Sequence, residues 1–267
     1  KLETLKELAQ LVSQKATVRS FSTKVMDEFF SMIKDNIFRP IAPIQKHLLA
    51  LDEEPTVSDI NWPHLSATYQ ILLNLQKNDP KDPHFDHDFI WKLTTYLHSC
   101  DSNERDSIIF FLTLYTDGTP GVESKVWYDM GALLNEYIDK IMGPFAVNTI
   151  LAFYEKRIQE NKVSTDIIDH IWIGSVLPLI KTQHFKSFVP NFTKLATTIL
   201  ESDSRVAVPT ITYLVTHFPL QSSIKQIQFI NLEAMVAEYL TPEDFRRIAL
   251  PFIQTNTRAV SSMSSKV

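Results

Sequence analysis

The chain has 267 residues, only 5 glycines, 14 prolines and a formal net charge of −5. Glycine at about 2% lies far below the ~7% of an average protein, and Gly118, Gly121, Gly131, Gly143 and Gly174 fit neither GxGxxG, GxxxxGKS/T nor GxSxG, which excludes phosphate-cradling loops and a hydrolase nucleophile elbow. So few residues suited to positive φ also argue against a hairpin-rich β protein, and an acidic balance without a basic run argues against nucleic acid as a partner.

Leu2, Leu5, Leu8 and Leu11 recur at a helical period, and Val25, Phe29 and Ile33 do so after a Ser22 placed to cap them. Pro40 and Pro43 stop that helix. An acidic, aperiodic stretch follows, Leu51-Asp-Glu-Glu-Pro-Thr56. Trp62-Pro63 opens the next helix, since proline suits a first turn whose N–H groups lack partners, and Leu65, Tyr69 and Leu72 share one face. Asp101 with Glu104 three residues on reads as a capping box. Pro144 after Gly143, Asp203-Ser204, Ser222-Ser223 and Thr241-Pro-Glu-Asp244 mark further starts. About twelve helices result, and pair starts near Trp62, Asn103, Pro144 and Phe185 lie 41 residues apart, with the next near Ser222. Periods of ~40–47 residues with two helices per unit predict HEAT or armadillo-type repeats, whose neighbours bury each other's apolar faces. The expected fold is all-α, an α-solenoid of about six HEAT-like helix pairs, one domain over 1–267 with an acidic loop near 51–61.

The search for chemistry is largely empty. His84-Phe-Asp-His-Asp88 has the residue types of a divalent-metal site, but no second cluster completes it, and a polar helix start is the simpler reading. Asp101, Glu104 and Asp106 with Arg105 read as capping groups and an ion pair rather than catalytic carboxylates. Cys100 and His98 have the types of a thiolate pair, yet stand two residues apart with no orienting group. Trp91, Trp127 and Trp172 are expected to fill space between helices. No catalytic, cofactor-binding or metal residue is expected, and the chain is read as a non-enzyme. The one cysteine cannot form an internal disulfide, which points to a reducing, intracellular compartment: the cytoplasm, with the nucleus as a second place. The most apolar stretches, Ile108–Tyr115 and Ile171–Ile180, fall short of the ~20 residues that span a bilayer. The acidic run Asp52, Glu53, Glu54 is either a solvated loop or a partner contact, since repeat proteins place function on such loops.

Asp52-Glu-Glu-Pro-Thr56, followed by Trp62-Pro-His-Leu65 and Tyr69, resembles the hallmark of the B-prime regulatory-subunit family of protein phosphatase 2A. Further matches keep the family's order: Glu104-Arg-Asp106, Leu177-Pro-Leu179 with Lys181, His217-Phe-Pro219, Phe229-Ile-Asn-Leu-Glu233, Pro242-Glu-Asp-Phe245 and Ala259-Val-Ser-Ser262. Matches are poor between Gly118 and Thr165, as in a divergent member. The family core continues beyond the Ser261-Ser262 region, so the resemblance implies a truncation after 267.

The resemblance implies a non-catalytic subunit of a heterotrimeric Ser/Thr phosphatase that binds scaffold (A) and catalytic (C) subunits and selects substrate proteins, with no obligate homo-oligomer. The loop Asp52, Glu53, Glu54, Pro55 would face the catalytic subunit, with Trp62 as its anchor. The family also reads LxxIxE motifs with a His-Arg pair, a Tyr and an Arg. The matching positions here are Thr113, Leu114, Thr116 and Glu123, and every one departs, so that recognition is expected to be lost or very weak. The rival readings are a generic HEAT-repeat adaptor without phosphatase binding and, more distantly, a helical metal protein built around His84–Asp88.

Overall fold

Ser22, Asp86, Asp101, Ser222 and Thr241 each cap a helix, accepting the backbone N–H of Val25 (3.4 Å), Phe89 (2.8 Å), Asn103 (2.9 Å), Lys225 (3.4 Å) and Asp244 (3.1 Å). Each satisfies one of the donors that a helix start leaves without an internal partner. The computed structural model describes residues 1–41, 58–219 and 221–260. Among the described residues it holds thirteen α-helices and no strand. The fold is all-α and repeat-like.

The chain divides into two compact units, Lys1–Ile150 and Leu151–Val267. The first contains α1 (Leu2–Val12), α2 (Lys15–Arg19), α3 (Thr23–Ile37), α4 (Trp62–Asn78), α5 (His87–Thr95), a 3-10 turn at Tyr96–His98, α6 (Ser102–Gly118), α7 (Glu123–Ile138) and the start of α8 (Phe145–Gln159). Helix α4 is its central element, packed by α1, α3 and α6. Two amides on α4 hold the last turn of α1: Asn74 donates to the Ala9 carbonyl at 2.9 Å and Asn78 to that of Val12 at 2.7 Å. Phe30 of α3 meets Phe85 and Phe89 edge-on, and Phe85 continues to Phe111 of α6, giving this unit an aromatic core.

The second unit takes in the rest of α8, then α9 (Thr165–Ile171), a π turn at Trp172–Val176, a 3-10 turn at Leu177–Lys181, α10 (Phe185–Ser202), a 3-10 turn at Ser204–Val206, α11 (Ala207–Thr216), α12 (Ser223–Ala237) and α13 (Pro242–Val260). The change of helix type after α9 has a covalent cause. Pro178 lacks the N–H that would bond four residues back, so the ladder widens before it and tightens after it. Trp172 is the centre of this unit's core, buried against Phe192 and donating its indole N–H to the Thr210 hydroxyl at 2.8 Å.

The predicted pair starts hold. Helices α4, α6, α8, α10 and α12 begin at 62, 102, 145, 185 and 223, so successive starts differ by 40, 43, 40 and 38 residues. Trp127 and Trp172 are buried as expected, while Trp91 is half-buried. The leucines of α1 form the expected helix, but they do not make up its buried face as a set. Its buried face is Leu5, Ala9 and Val12, with Leu11 exposed. Each step of three residues falls about 60° short of a full helical turn, so four leucines spaced by three walk halfway round the helix. Likewise α3 buries Met26, Phe30, Ile33 and Ile37, and Val25 faces outward.

Candidate interaction site

The most connected polar cluster of the first unit is built around Glu104. This residue stands in the first turn of α6 and is fully buried. Arg39, just past the end of α3, meets its carboxylate with both terminal nitrogens, at 2.7 Å to Oε1 and 3.0 Å to Oε2. Tyr69 of α4 donates its hydroxyl to the same Oε1 at 3.0 Å. Arg39 Nη2 also reaches Asp59 Oδ2 at 2.8 Å. The Asp59 backbone N–H donates to Asp101 Oδ2 at 2.8 Å, while the other Asp101 oxygen caps α6. The Tyr96 hydroxyl donates to the Arg39 carbonyl at 2.6 Å.

The charge states follow from this geometry. Burial works against the Arg39 cation, but the bonds to Glu104 and Asp59 outweigh it and raise its pKa. Asp59 is likewise penalised by burial, yet the Asn61 N–H and the Arg39 guanidinium hold its pKa below the ordinary value. Burial and the Glu104 charge push the Tyr69 phenol well upward, so it serves as a donor. A two-pronged guanidinium–carboxylate bond fixes angle as well as distance, so the cluster specifies register and not merely contact.

The predicted acidic loop Asp52, Glu53, Glu54, Pro55 lies outside the described residues. Its predicted anchor, Trp62, opens α4 half-buried, with its ring 6.3 Å from that of Tyr69. Thr113, Leu114 and Thr116 lie in the second half of α6, and Glu123 starts α7 beyond the turn. Thr113 donates to the Ile109 carbonyl at 2.8 Å and Thr116 to that of Leu112 at 2.9 Å, so both hydroxyls serve their own helix. Leu114 is half-buried. Glu123 accepts the Trp127 indole N–H at 3.0 Å. A small cavity of about 90 Å³ nearby is lined by His87, Tyr115, Lys125 and Asp129, among others. Burial raises the Asp129 pKa, against the opposing influence of His87 and Lys125.

Comparison with known proteins places this architecture. The description "Protein phosphatase 2A regulatory B subunit (B56 family)" matches residues 1–267. The chain belongs to the B56 family. Similar proteins include the B-prime theta isoform of the 57 kDa protein phosphatase 2A regulatory subunit of Arabidopsis thaliana, 24% identical over 300 residues that cover 100% of this chain and 56% of the relative. A Saccharomyces cerevisiae "56 kDa regulatory subunit delta isoform" is 24% identical, covering 98% of this chain and 36% of the relative. The Homo sapiens "56 kDa regulatory subunit alpha isoform" is 24% identical over 100% of this chain and 56% of the relative. The chain thus spans about half or less of the length of these relatives.

Other candidates in this B56 chain have structural partners. His84 is gripped by both ring nitrogens, 2.7 Å from Asp82 and 2.8 Å from Asp27, and its ring stacks on Phe30. Asp86 caps α5. Among the described residues no three His, Cys, Asp or Glu side chains converge as a metal site. Burial pushes the Cys100 thiol upward, which disfavours a thiolate. Among the described residues no helix is long and apolar enough to cross a membrane.

The capping-box reading of Glu104 is corrected. Asp101 caps α6, but Glu104 turns inward, because Arg39 and Tyr69 supply three donors for its carboxylate. Arg105 is buried and donates to the Ser99 carbonyl at 2.6 Å. Sequence reasoning missed Arg39 altogether. The one available signal was a cation directly ahead of Pro40, at a helix end, facing an unexplained acid in the Glu104-Arg-Asp106 match.

Proposed function

We propose that this chain is a non-catalytic regulatory subunit of a heterotrimeric Ser/Thr protein phosphatase, binding its scaffold and catalytic subunits and selecting substrate proteins. The observation that carries this reading is the B56 match across all of 1–267, with relatives named as regulatory subunits of protein phosphatase 2A. Its work would be positioning: a docked subunit raises the effective concentration of a bound substrate at a catalytic site on its neighbour. The acidic run Asp52, Glu53, Glu54 and Pro55 would contact the catalytic subunit, with Trp62 holding the run to α4. The even helix spacing on both sides of residue 150 supports treating 1–267 as one domain of HEAT-like pairs. The place of action would be the cytoplasm and the nucleus.

Size-exclusion chromatography of this chain with purified scaffold and catalytic subunits tests the reading. Co-elution of the three is expected, and changing Asp52, Glu53 and Glu54 together to lysine should weaken it. Absence of a ternary peak would favour an adaptor that keeps the fold without the phosphatase.

A further inference from the structure

Asp129, in the middle of α7, holds one oxygen that no neighbour answers. Among the described residues no group donates a hydrogen bond to Asp129 Oδ2, although the atom is enclosed. His87 Nδ1 lies 4.0 Å away, too far for a hydrogen bond. Lys125, one turn earlier on α7, is exposed and does not supply the missing donor. Asp129 borders the cavity of about 90 Å³ between α5, α6 and α7, whose walls include Ile90, Val122 and Tyr115, with His87 and Lys125 beside the carboxylate. The His87 side chain is 43% exposed and Lys125 is exposed, so the cavity opens to solvent on their side.

We propose that this cavity is a docking pocket for one lysine side chain of a substrate protein, which enters ammonium first and is met by Asp129 and His87. This rests on the function proposed above. The volume is well below the ~300 Å³ at which small-molecule sites begin, but it admits the end of a side chain. The apolar walls suit a lysine stem, and the enclosed oxygen suits its compact charged head. An ammonium carries three divergent N–H donors. One nitrogen can therefore bond Asp129 Oδ2 and, when the imidazole is neutral, His87 Nδ1 across their 4.0 Å gap. A guanidinium is matched by a two-oxygen fork, which a single enclosed oxygen does not offer. A metal ion lacks ligands, since among the described residues no three His, Cys, Asp or Glu side chains converge. Burial raises the Asp129 pKa against the influence of His87 and Lys125, so its charged form gains from an arriving cation. An enclosed carboxylate without a partner lowers stability, which is the mark of a group kept for a ligand rather than for the fold.

The first test uses the intact chain alone, with isotope-labelled aspartate and histidine, followed by NMR. The probes are an acetylated and amidated alanine-lysine-alanine peptide and its norleucine counterpart, which keeps the stem and drops the ammonium. The lysine peptide should shift the Asp129 carboxyl and His87 ring signals with a Kd of about 1–10 mM, and the norleucine peptide should bind about tenfold more weakly or worse. Asp129→Asn should lose the preference for lysine while melting no lower than the wild type, because the unpaired carboxylate adds no stability. Lys125→Gln should bind the lysine peptide at least as well as the wild type. Equal shifts from both peptides, no shift from either, or a preference that survives Asp129→Asn would overturn the proposal. So would a lower melting temperature in Asp129→Asn, which would mark a structural role, or binding seen only in Lys125→Gln, which would mean that Lys125 fills the cavity itself. The second test assembles the chain with scaffold and catalytic subunits. A lysine-scanned set of phosphopeptides should include members whose KM lies about threefold or more below that of their norleucine counterparts, and Asp129→Asn should close the gap. No gap in any member would overturn the substrate role. If the subunits do not assemble, the regulatory-subunit reading falls and the titration still decides the pocket. If the titration fails, the pocket falls and the regulatory-subunit reading stands.

Discussion

Arg39 and Glu104, 65 residues apart in sequence, meet in a two-pronged ion pair of 2.7 and 3.0 Å whose carboxylate is fully buried. Removing either partner leaves the other short of counter-charge. Glu104→Ala should therefore destabilise the chain by about 3 kcal/mol, because the cation loses both bonds to the buried carboxylate and keeps only Asp59. Arg39→Ala leaves Glu104 with the Tyr69 hydroxyl alone from this set and should cost a similar amount. The double variant should cost clearly less than the two singles added, since neither charge is then stranded. Urea unfolding of the four proteins measures this, and additive losses would contradict the pairing.

His84 ties α3 to the turn ahead of α5 through Asp27 and Asp82. Burial depresses its pKa, but the two carboxylates win and lift it above its ordinary 6.5. A histidine with a raised folded pKa binds its proton more tightly in the folded state. Its contribution is complete below about pH 6.5 and disappears as pH rises through the folded value. Asp27 is largely exposed, so the effect should not exceed about 1 kcal/mol. The stability difference between wild type and His84→Gln should thus be largest in mild acid and shrink toward pH 8, as followed by thermal melts across that range.

His98 works with the opposite sign. It is buried in the 3-10 turn after α5, and burial lowers its pKa to about 4, against a smaller upward influence from the Gly143 backbone. The unfolded chain takes up a proton near pH 6.5 that the folded chain refuses. Stability is therefore lost as pH falls from about 6.5 toward 4, by on the order of 3 kcal/mol for this one group. A His98→Phe or His98→Leu variant that folds should show a flatter decline over that window. An equally steep decline would show that other groups drive the acid sensitivity.

The repeat register was legible because helix starts carry local marks. Trp62-Pro63, Asp101, Phe185 after a polar turn, Ser222 and Thr241 act within three or four residues of themselves, and backbone capping needs nothing further away. The Glu104 cluster was not legible for the converse reason. Its carboxylate has the residue type and spacing of a capping box, and whether it turns back to its own helix or inward depends on donors 35 and 65 residues distant. The same limit applies to His84, whose density of acidic neighbours suggested a metal and whose actual partner, Asp27, comes from 57 residues upstream. Amphipathic stripes fell between these cases. The period was visible, but the buried faces kept only Leu5 of the four α1 leucines and only Ile33 of Val25, Phe29 and Ile33, the other buried positions being Ala9 and Val12 in α1 and Met26, Phe30 and Ile37 in α3.

Two glycines at the α6–α7 turn should respond differently to substitution. A Cβ on Gly118 would stand 2.9 Å from the Pro80 Cβ and 3.4 Å from its Cγ, where the end of α6 lies against the loop after α4. Thr119 donates to the Pro80 carbonyl at 3.1 Å in the same place, so the loop cannot retreat freely. Gly118→Ala should cost about 1–3 kcal/mol through overpacking. Gly121 has open space around it but a φ of +85°. Gly121→Ala should cost roughly 1 kcal/mol through backbone strain alone, and Gly121→Asn should recover part of that, since asparagine tolerates positive φ. At Gly118 the order reverses, with Asn worse than Ala. Chemical denaturation of the four variants separates steric from conformational cost.

Peptides of the LxxIxE type should bind this chain weakly or not at all. An acidic motif needs a cation at its carboxylate, and the four positions that the resemblance sets opposite the family's readers, Thr113, Leu114, Thr116 and Glu123, include none. The structure gives each another occupation: two hydroxyls bonded to their own helix, a half-buried leucine, and a glutamate holding the Trp127 indole. The adjoining cavity contains a further carboxylate, Asp129, whose raised pKa marks how poorly this spot solvates negative charge. A second acid brought there would meet the Asp129 carboxylate, with Lys125 and His87 as the basic groups in the lining. Fluorescence polarisation with a labelled LxxIxE phosphopeptide should show no saturation in the low-micromolar range. Replacing Leu114 with arginine and Glu123 with glutamine should create measurable binding if charge is what is missing. Low-micromolar affinity in the wild-type chain would mean that recognition here uses residues other than these four.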